Sequence, residues 1–240
     1  MTIHHDLDSA DRHELASLPA KGLEWLAGEH KVDRVGMTFG KRAFDIVFAL
    51  ILLVPLSFVI VLVMVTLLVT QGRPLFYVAP RMRAPGEQFD LLKFRTMLRE
   101  DDDSGATGAH KHWRITRVGR ILRRTRIDEL PQLFNILRGD MSFVGPRPHR
   151  TVQIHGWLKE IPQWAVRHQV RPGLSGLAQV VGSYYYTPLQ KLRYDRVYIR
   201  HISLALDVKL LLLAFLVVFW LRWQPDWDGH IPRRWLRWGS

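Results

Sequence analysis

The sequence predicts an α+β fold, mostly helical, in a monotopic membrane protein with a re-entrant helix, a small β-hairpin and interfacial amphipathic helices. Three observations predict it. No charged residue stands between Asp45 and Arg73, and the apolar part of that run, residues 46–70, would extend roughly 38 Å as a helix, longer than a hydrocarbon core of about 30 Å. Basic residues flank the run on both sides, Lys41 and Arg42 before it and Arg73, Arg81 and Arg83 after it. A crossing helix usually carries its Lys and Arg on one side, so balanced flanks suit a segment that enters one leaflet, bends at Pro55 and returns. A straight crossing is the alternative. The third observation is the C-terminal tail, where Trp220, Trp223, Trp227, Trp235 and Trp238 alternate with Arg222, Arg233, Arg234 and Arg237, the composition of an interfacial anchor.

Four segments follow along the chain: a polar N-terminal extension (1–36), a membrane-inserted helix (37–73), a catalytic body (74–221) and the Trp/Arg-rich tail (222–240). The extension suggests a short helix near Ser9 that ends at Pro19, and it lacks the pattern of a cleavable signal peptide. Residues 74–97 read as a β-hairpin, with Leu75-Phe76-Tyr77-Val78 and Phe89-Asp90-Leu91-Leu92-Lys93-Phe94 as strands and Pro85-Gly86 as the turn. A loop rich in Asp, Gly and His follows; Asp101, Asp102, Asp103, His110 and His112 are better read as loop than as metal ligands. Residues 113–122 suggest a helix with Arg114, Arg117, Arg120 and Arg123 near one face. Its outer arginines suit water or lipid headgroups. The uncharged run 210–221 is about 18 Å as a helix, too short to span, and suits packing on the body or lying in the interface.

A net charge of +12 calls for an anionic partner: nucleic acid, acidic lipid or a phosphorylated substrate. The absence of cysteine excludes disulfides and thiolate chemistry. The densest chemistry lies in Arg123-Arg124-Thr125-Arg126-Ile127-Asp128-Glu129-Leu130-Pro131, with Gly145-Pro146-Arg147-Pro148 after it. Pro131 suits the first turn of a helix and Gly139 its end, which places Asp128 and Glu129 just before the helix N-terminus. Acidic residues also stand there simply to cap and to face the helix dipole. The surrounding arginines favour a second role, an anion site beside two carboxylates and near a membrane. Tyr184, Tyr185 and Tyr186 suit packing or the interface better than a sugar contact.

These residues resemble a known family. Lys41-Arg42-Ala43-Phe44-Asp45, Lys93-Phe94-Arg95-Thr96-Met97, the run from Arg114 to Arg124, Asp128-Glu129-Leu130-Pro131-Gln132-Leu133-Phe134-Asn135, Leu137-Arg138-Gly139-Asp140-Met141-Ser142, Gly145-Pro146-Arg147-Pro148 and Arg171-Pro172-Gly173-Leu174-Ser175-Gly176 are similar, in order, to motifs of the bacterial sugar transferases, the monotopic polyprenyl-phosphate phosphoglycosyltransferases. The resemblance implies an enzyme that moves a sugar-1-phosphate from a UDP-sugar to undecaprenyl phosphate, releases UMP and requires Mg2+. It implies that Asp128 is the nucleophile, that Glu129 assists with metal or proton handling, and that both carboxylates serve the metal. Arg123 and Arg147 would stabilise phosphate charge, with Lys93, Arg95 and Arg126 as further phosphate contacts and Asp195 as a supporting group. The implied setting is the cytoplasmic face of a bacterial inner membrane, at the start of exopolysaccharide repeat units. The implied partners are the two substrates and the bilayer, without nucleic acid; a homo-oligomer is left open.

The chain also departs from the family pattern. Val54 precedes Pro55 where some members carry Ser, and Pro80, Arg81, Met82 and Arg83 stand where Gln-x-Arg-x-Gly is frequent. The short extension implies the compact catalytic form. Two rivals are a non-catalytic adaptor binding anionic lipid or nucleic acid, and a hydrolase of lipid phosphates.

Overall fold

A computed structural model describes residues 38–84, 87–98, 114–181 and 186–219. The order is helix α1 (Phe39–Gln71), strands β1 (Phe76–Ala84) and β2 (Glu87–Phe94), helix α2 (Arg117–Thr125), a 3-10 turn (Ile127–Glu129), α3 (Gln132–Arg138), β3 (Ser142–Val144), α4 (Thr151–Glu160), a 3-10 stretch (Pro162–Gln169), β4 (Gly173–Ser175), α5 (Leu177–Val181), α6 (Pro188–Arg200) and α7 (Leu204–Phe219). The described part is mostly helical, with two small sheets and one long apolar helix.

Helix α1 holds 33 residues, roughly 50 Å, and Pro55 lies inside it. It is the one described helix long and apolar enough to cross a membrane. The Thr38 hydroxyl accepts the Lys41 N–H at 3.2 Å and caps its start. A single stripe faces the body: Lys41, Asp45, Ala49, Ile60, Val63 and Leu67 are buried. The opposite face leaves Val54, Phe58 and Val69 more than 70% exposed, an apolar surface too extensive to face water.

Both ends of α1 are fastened to the same body. At the start, Lys41 Nζ meets Asp207 Oδ2 at 2.5 Å and donates to the carbonyl of Val144 at 3.2 Å. Arg42 caps the end of α3 by donating to the carbonyls of Ile136 and Leu137 at 2.6 and 2.7 Å. Asp45 accepts from the Ser142 hydroxyl at 3.0 Å and from the Phe143 N–H at 3.1 Å. At the far end Arg95 donates to the carbonyls of Gln71, Gly72 and Arg73, where the helix leaves acceptors unfilled.

The hairpin pairs β1 with β2 antiparallel, Phe76 against Phe94 and Tyr77 against Lys93. Strand β1 runs on past its apolar residues to Ala84, with Pro80 opposite Asp90 in the pairing. The turn expected at Pro85-Gly86 lies outside the described residues. So do the extension, the Asp/His loop, Tyr184, Tyr185 and the Trp/Arg tail. The helix expected over 113–122 starts later. Met97 pairs with Ile115 in an antiparallel bridge, and Thr116 then caps α2. Arg114 therefore leaves the arginine face; it is buried and donates to the Leu98 carbonyl at 2.8 Å.

Strands β3 and β4 pair in parallel, Ser142 with Gly173 and Val144 with Ser175. They need glycine at the contact: a Cβ on Gly173 would stand 2.1 Å from the Gly145 nitrogen. Leu133, Ile136, Met141, Phe143, Tyr198 and Leu210 centre the main core, against which α1 lays Phe48 and Leu52. Helix α7 buries Leu206, Asp207 and Leu210 against the body, as the packing reading of the short apolar run expects, and exposes Leu212, Phe215 and Phe219.

Candidate active site

The carboxylates sit on the 3-10 turn between α2 and α3. Arg126 starts that turn in the left-handed region, φ 61°, a conformation that costs a non-glycine residue about 1–2 kcal/mol. Such strain is characteristic of functional turns. Pro131 then opens α3, and Gly139, φ 90°, closes it. The expected short helix with the acidic pair just ahead of it is present.

Asn135 locks this unit to the hairpin. Its side-chain oxygen accepts the Leu92 N–H at 3.0 Å and its amide donates to the Asp90 carbonyl at 2.7 Å, so it pairs with β2 as a strand edge would. The next residue of β2, Lys93, is thereby held against Glu129: Lys93 Nζ lies 2.6 Å from Glu129 Oε1. Arg147 Nη2 meets the same oxygen at 2.8 Å, and Arg126 Nη1 lies 3.5 Å away.

The two acids have opposite electrostatics. Burial alone would raise the Glu129 carboxyl, but Arg147, Lys93 and Arg126 together hold it well below the usual range, ionised at any working pH. Asp128 is 7% exposed, and its Oδ1 is buried with no hydrogen-bond partner. Its carboxyl is raised, by burial first and then by Glu129, against the pull of Lys93, Arg126 and Arg123. Lys93 is lowered, chiefly by burial, with Glu129 opposing. One acid therefore organises cations, while the other keeps an unengaged oxygen among them.

The structure thus gathers Asp128, Glu129, Lys93, Arg126 and Arg147. Arg123 stands beside them with its Nε on the Thr96 hydroxyl at 2.8 Å, and its charge bears on Asp128. Two other predicted residues lie elsewhere. Arg95 is spent on the end of α1. Asp195 is buried one layer behind: Arg167 Nε donates to Asp195 Oδ2 at 2.6 Å, and Arg167 Nη2 donates to the Arg147 carbonyl at 3.1 Å. Tyr186, the one described tyrosine of its run, stacks on Tyr194 at 5.5 Å between rings.

Sequence reasoning missed Asn135, Thr96 and Arg167 as site-building residues. An Asn within Leu133-Phe134-Asn135-Ile136-Leu137 was the available signal, since a polar amide in an apolar run demands partners. No group of three or more His, Asp or Glu side chains able to hold a metal occurs among the described residues.

The family model described as bacterial sugar transferase matches residues 36–221. The chain is 42% identical over 187 residues to a Caulobacter vibrioides protein named UDP-glucose:undecaprenyl-phosphate glucose-1-phosphate transferase, covering 75% of this chain and 70% of that protein. It is 39% identical over 174 residues to an Aeromonas hydrophila UDP-N-acetylgalactosamine-undecaprenyl-phosphate N-acetylgalactosaminephosphotransferase, covering 71% of this chain and 41% of the relative. To the Escherichia coli UDP-glucose:undecaprenyl-phosphate glucose-1-phosphate transferase it is 36% identical over 185 residues, covering 75% of this chain and 39% of the relative. The chain thus spans under half the length of the last two. On the extent of the family match and the order of its motifs, this chain belongs to the bacterial sugar transferase family.

Proposed function

We propose that this chain transfers a sugar-1-phosphate from a UDP-sugar to undecaprenyl phosphate, releasing UMP, through a phosphosugar–Asp128 intermediate, and so begins a glycan repeat unit. The observation that carries the reading is the buried, unpartnered Oδ1 of Asp128 beside a Glu129 that holds Lys93 and Arg147 in place. The names of the relatives supply the substrate classes.

In the first displacement an Asp128 oxygen attacks the sugar-bearing phosphorus. The bond from that phosphorus to the bridging oxygen breaks, and UMP leaves with the electron pair. In the second, an oxygen of the lipid phosphate attacks the same phosphorus and Asp128 regains its carboxylate. Covalent catalysis lets the nucleotide depart before the bulky lipid phosphate reacts. Lys93, Arg123, Arg126 and Arg147 offset the repulsion between an anionic nucleophile and a diphosphate.

The donor set fits Mg2+, which typically uses one or two carboxylates and completes its shell with water and substrate phosphate. Asp128 offers an unengaged oxygen for it, with Glu129 adjacent. Bound there, the ion would neutralise charge on the diphosphate.

The same reading sets α1 as a re-entrant helix and the body on the cytoplasmic face of the inner membrane. The fastening of both ends of α1 to one body supports it. The test is UMP release by detergent-solubilised protein given magnesium, undecaprenyl phosphate and a panel of UDP-sugars, which also identifies the sugar. Release that collapses in Asp128→Asn is the expected result. An unchanged rate in that variant removes Asp128 as nucleophile, and no release with any UDP-sugar favours a binding protein.

A further inference from the structure

Arg81 and Arg150 face each other across an antiparallel bridge between β1 and the segment before α4. Residues directly opposite in such a bridge carry their side chains on one side, about 5 Å apart at Cβ, and like charges there repel. Among the described residues neither arginine is in an ion pair with a carboxylate. Arg81 Nε is buried without a hydrogen-bond partner, and Arg81 Nη1 reaches only the carbonyl of neighbouring Pro80, at 3.3 Å. Burial first and then Arg150, with Arg147 adding to it, press the Arg81 guanidinium down to about 10. Two half-buried cations set against each other with no acid between them form a site that lacks its anion.

The hairpin register locates this pair relative to Asp128. Arg81 pairs with Phe89, and Tyr77 pairs with Lys93, so Arg81 and Lys93 share a face of the hairpin four residues apart, roughly 13 Å. Arg147 lies within electrostatic reach of both. Lys93 and Arg147 are each paired with Glu129, whereas Arg81 and Arg150 have no carboxylate partner among the described residues.

We propose that Arg81 and Arg150 form a second phosphate-binding subsite, distinct from the cations around Asp128 and Glu129, which holds a phosphate of one of the substrates at the far end of the same cationic row. The identity of that phosphate rests on the transferase reading, since either the nucleotide or the lipid could supply it; the existence of the subsite does not. A guanidinium pair suits phosphate because each fork offers parallel N–H donors to its oxygens.

Thermal melting of the intact protein in detergent, with and without millimolar inorganic phosphate, tests the subsite. Phosphate should raise the wild-type melting temperature, and Arg81→Gln and Arg150→Gln should each lose at least half of that rise. Without phosphate, Arg81→Gln should melt no lower than wild type, because a repulsion has been removed. A phosphate-dependent rise of full size in the Arg81→Gln/Arg150→Gln double variant would overturn the proposal.

The source of the phosphate is read on an Asp128→Asn background, where no turnover occurs, by titrating UMP and farnesyl phosphate separately. A tenfold loss of affinity for one on adding Arg81→Gln names it as the occupant, and Arg81→Lys should recover part of the loss. Affinities for both within twofold of the parent would also overturn the proposal. Failure of UMP release with every UDP-sugar, alongside an intact phosphate-dependent rise, would refute the transferase reading and leave the subsite standing.

Discussion

Arg167 joins Asp195 to Arg147: its Nε meets Asp195 Oδ2 at 2.6 Å, and its Nη2 meets the Arg147 carbonyl at 3.1 Å. The guanidinium also lies 4.3 Å from the centre of the Trp164 ring. Asp195 is 1% exposed, so this chain of contacts is sheltered from water. It sets the backbone from which the Arg147 side chain reaches Glu129. Asp195→Ala leaves Arg167 buried and uncompensated, which costs about 3–5 kcal/mol. The expected outcome is a lower melting temperature together with a raised KM for the UDP-sugar, and Asp195→Asn should recover part of both. A variant that melts early but keeps the wild-type KM would confine Asp195 to stability.

The raised Asp128 carboxyl predicts the acid limb of the reaction. With Asp128 as the proposed nucleophile, only its carboxylate would attack phosphorus, so the burst of UMP release without lipid acceptor should fall as pH drops through a value above the ordinary Asp pKa. Burial is the main cause and Glu129 the second. In Glu129→Gln the limb should therefore move to lower pH even as the rate declines. A wild-type limb at the ordinary Asp value would show that Asp128 does not titrate as its surroundings require.

His168 makes stability fall on acidification. It is 7% exposed, and its pKa is lowered to about 4 from 6.5 by burial and then by Arg167. Below pH 6.5 the unfolded chain binds a proton that the folded chain refuses until about pH 4, so acid favours unfolding across that window. The expected loss between pH 7 and 5 is on the order of 2 kcal/mol from this group. His149, lowered in the same direction by desolvation first and then by Arg167, adds to it. Melting curves across that range should show the decline, and His168→Gln should flatten it. A melting temperature independent of pH from 7 to 5 would contradict the assignment.

Topology is open to labelling because the chain has no cysteine of its own. Single cysteines at Ser9 and Ser104, on either side of α1 in sequence, should react with an impermeant maleimide from the same face of sealed vesicles. Labelling from opposite faces would show that α1 crosses.

Much of this was legible in the sequence for a local reason. The charge-free run needs no partner to declare itself, and Pro131 with Gly139 brackets a helix whatever surrounds it. The carboxylate turn, read from those brackets, stands where expected. Contacts distant in sequence were less legible. Arg95 lies two residues from Lys93, yet one closes the end of α1 and the other meets Glu129, because β2 ends at Phe94 and the alternation that would put both on one face stops there. Strands β3 and β4, three residues each, are too short to announce a period, and only the close approach of Gly145 and Gly173 explains them. Asp195 was singled out by resemblance, but the route from it through Arg167 to Arg147 required the fold.

The double fastening of α1 has a mechanical consequence. A helix held at one end can slide, tilt or roll as lipids rearrange, and the body it carries merely floats nearby. Here Lys41, Arg42 and Asp45 clamp the bow and Arg95 the stern. The helix is thus a keel rigid with its hull, and its apolar flank sets the draught. With α1 in the membrane as proposed, the height of Asp128 above the acyl chains would be a fixed dimension of the protein. On the proposed transferase reading, a lipid phosphate confined to the headgroup plane would meet it by lateral diffusion alone, a search in two dimensions.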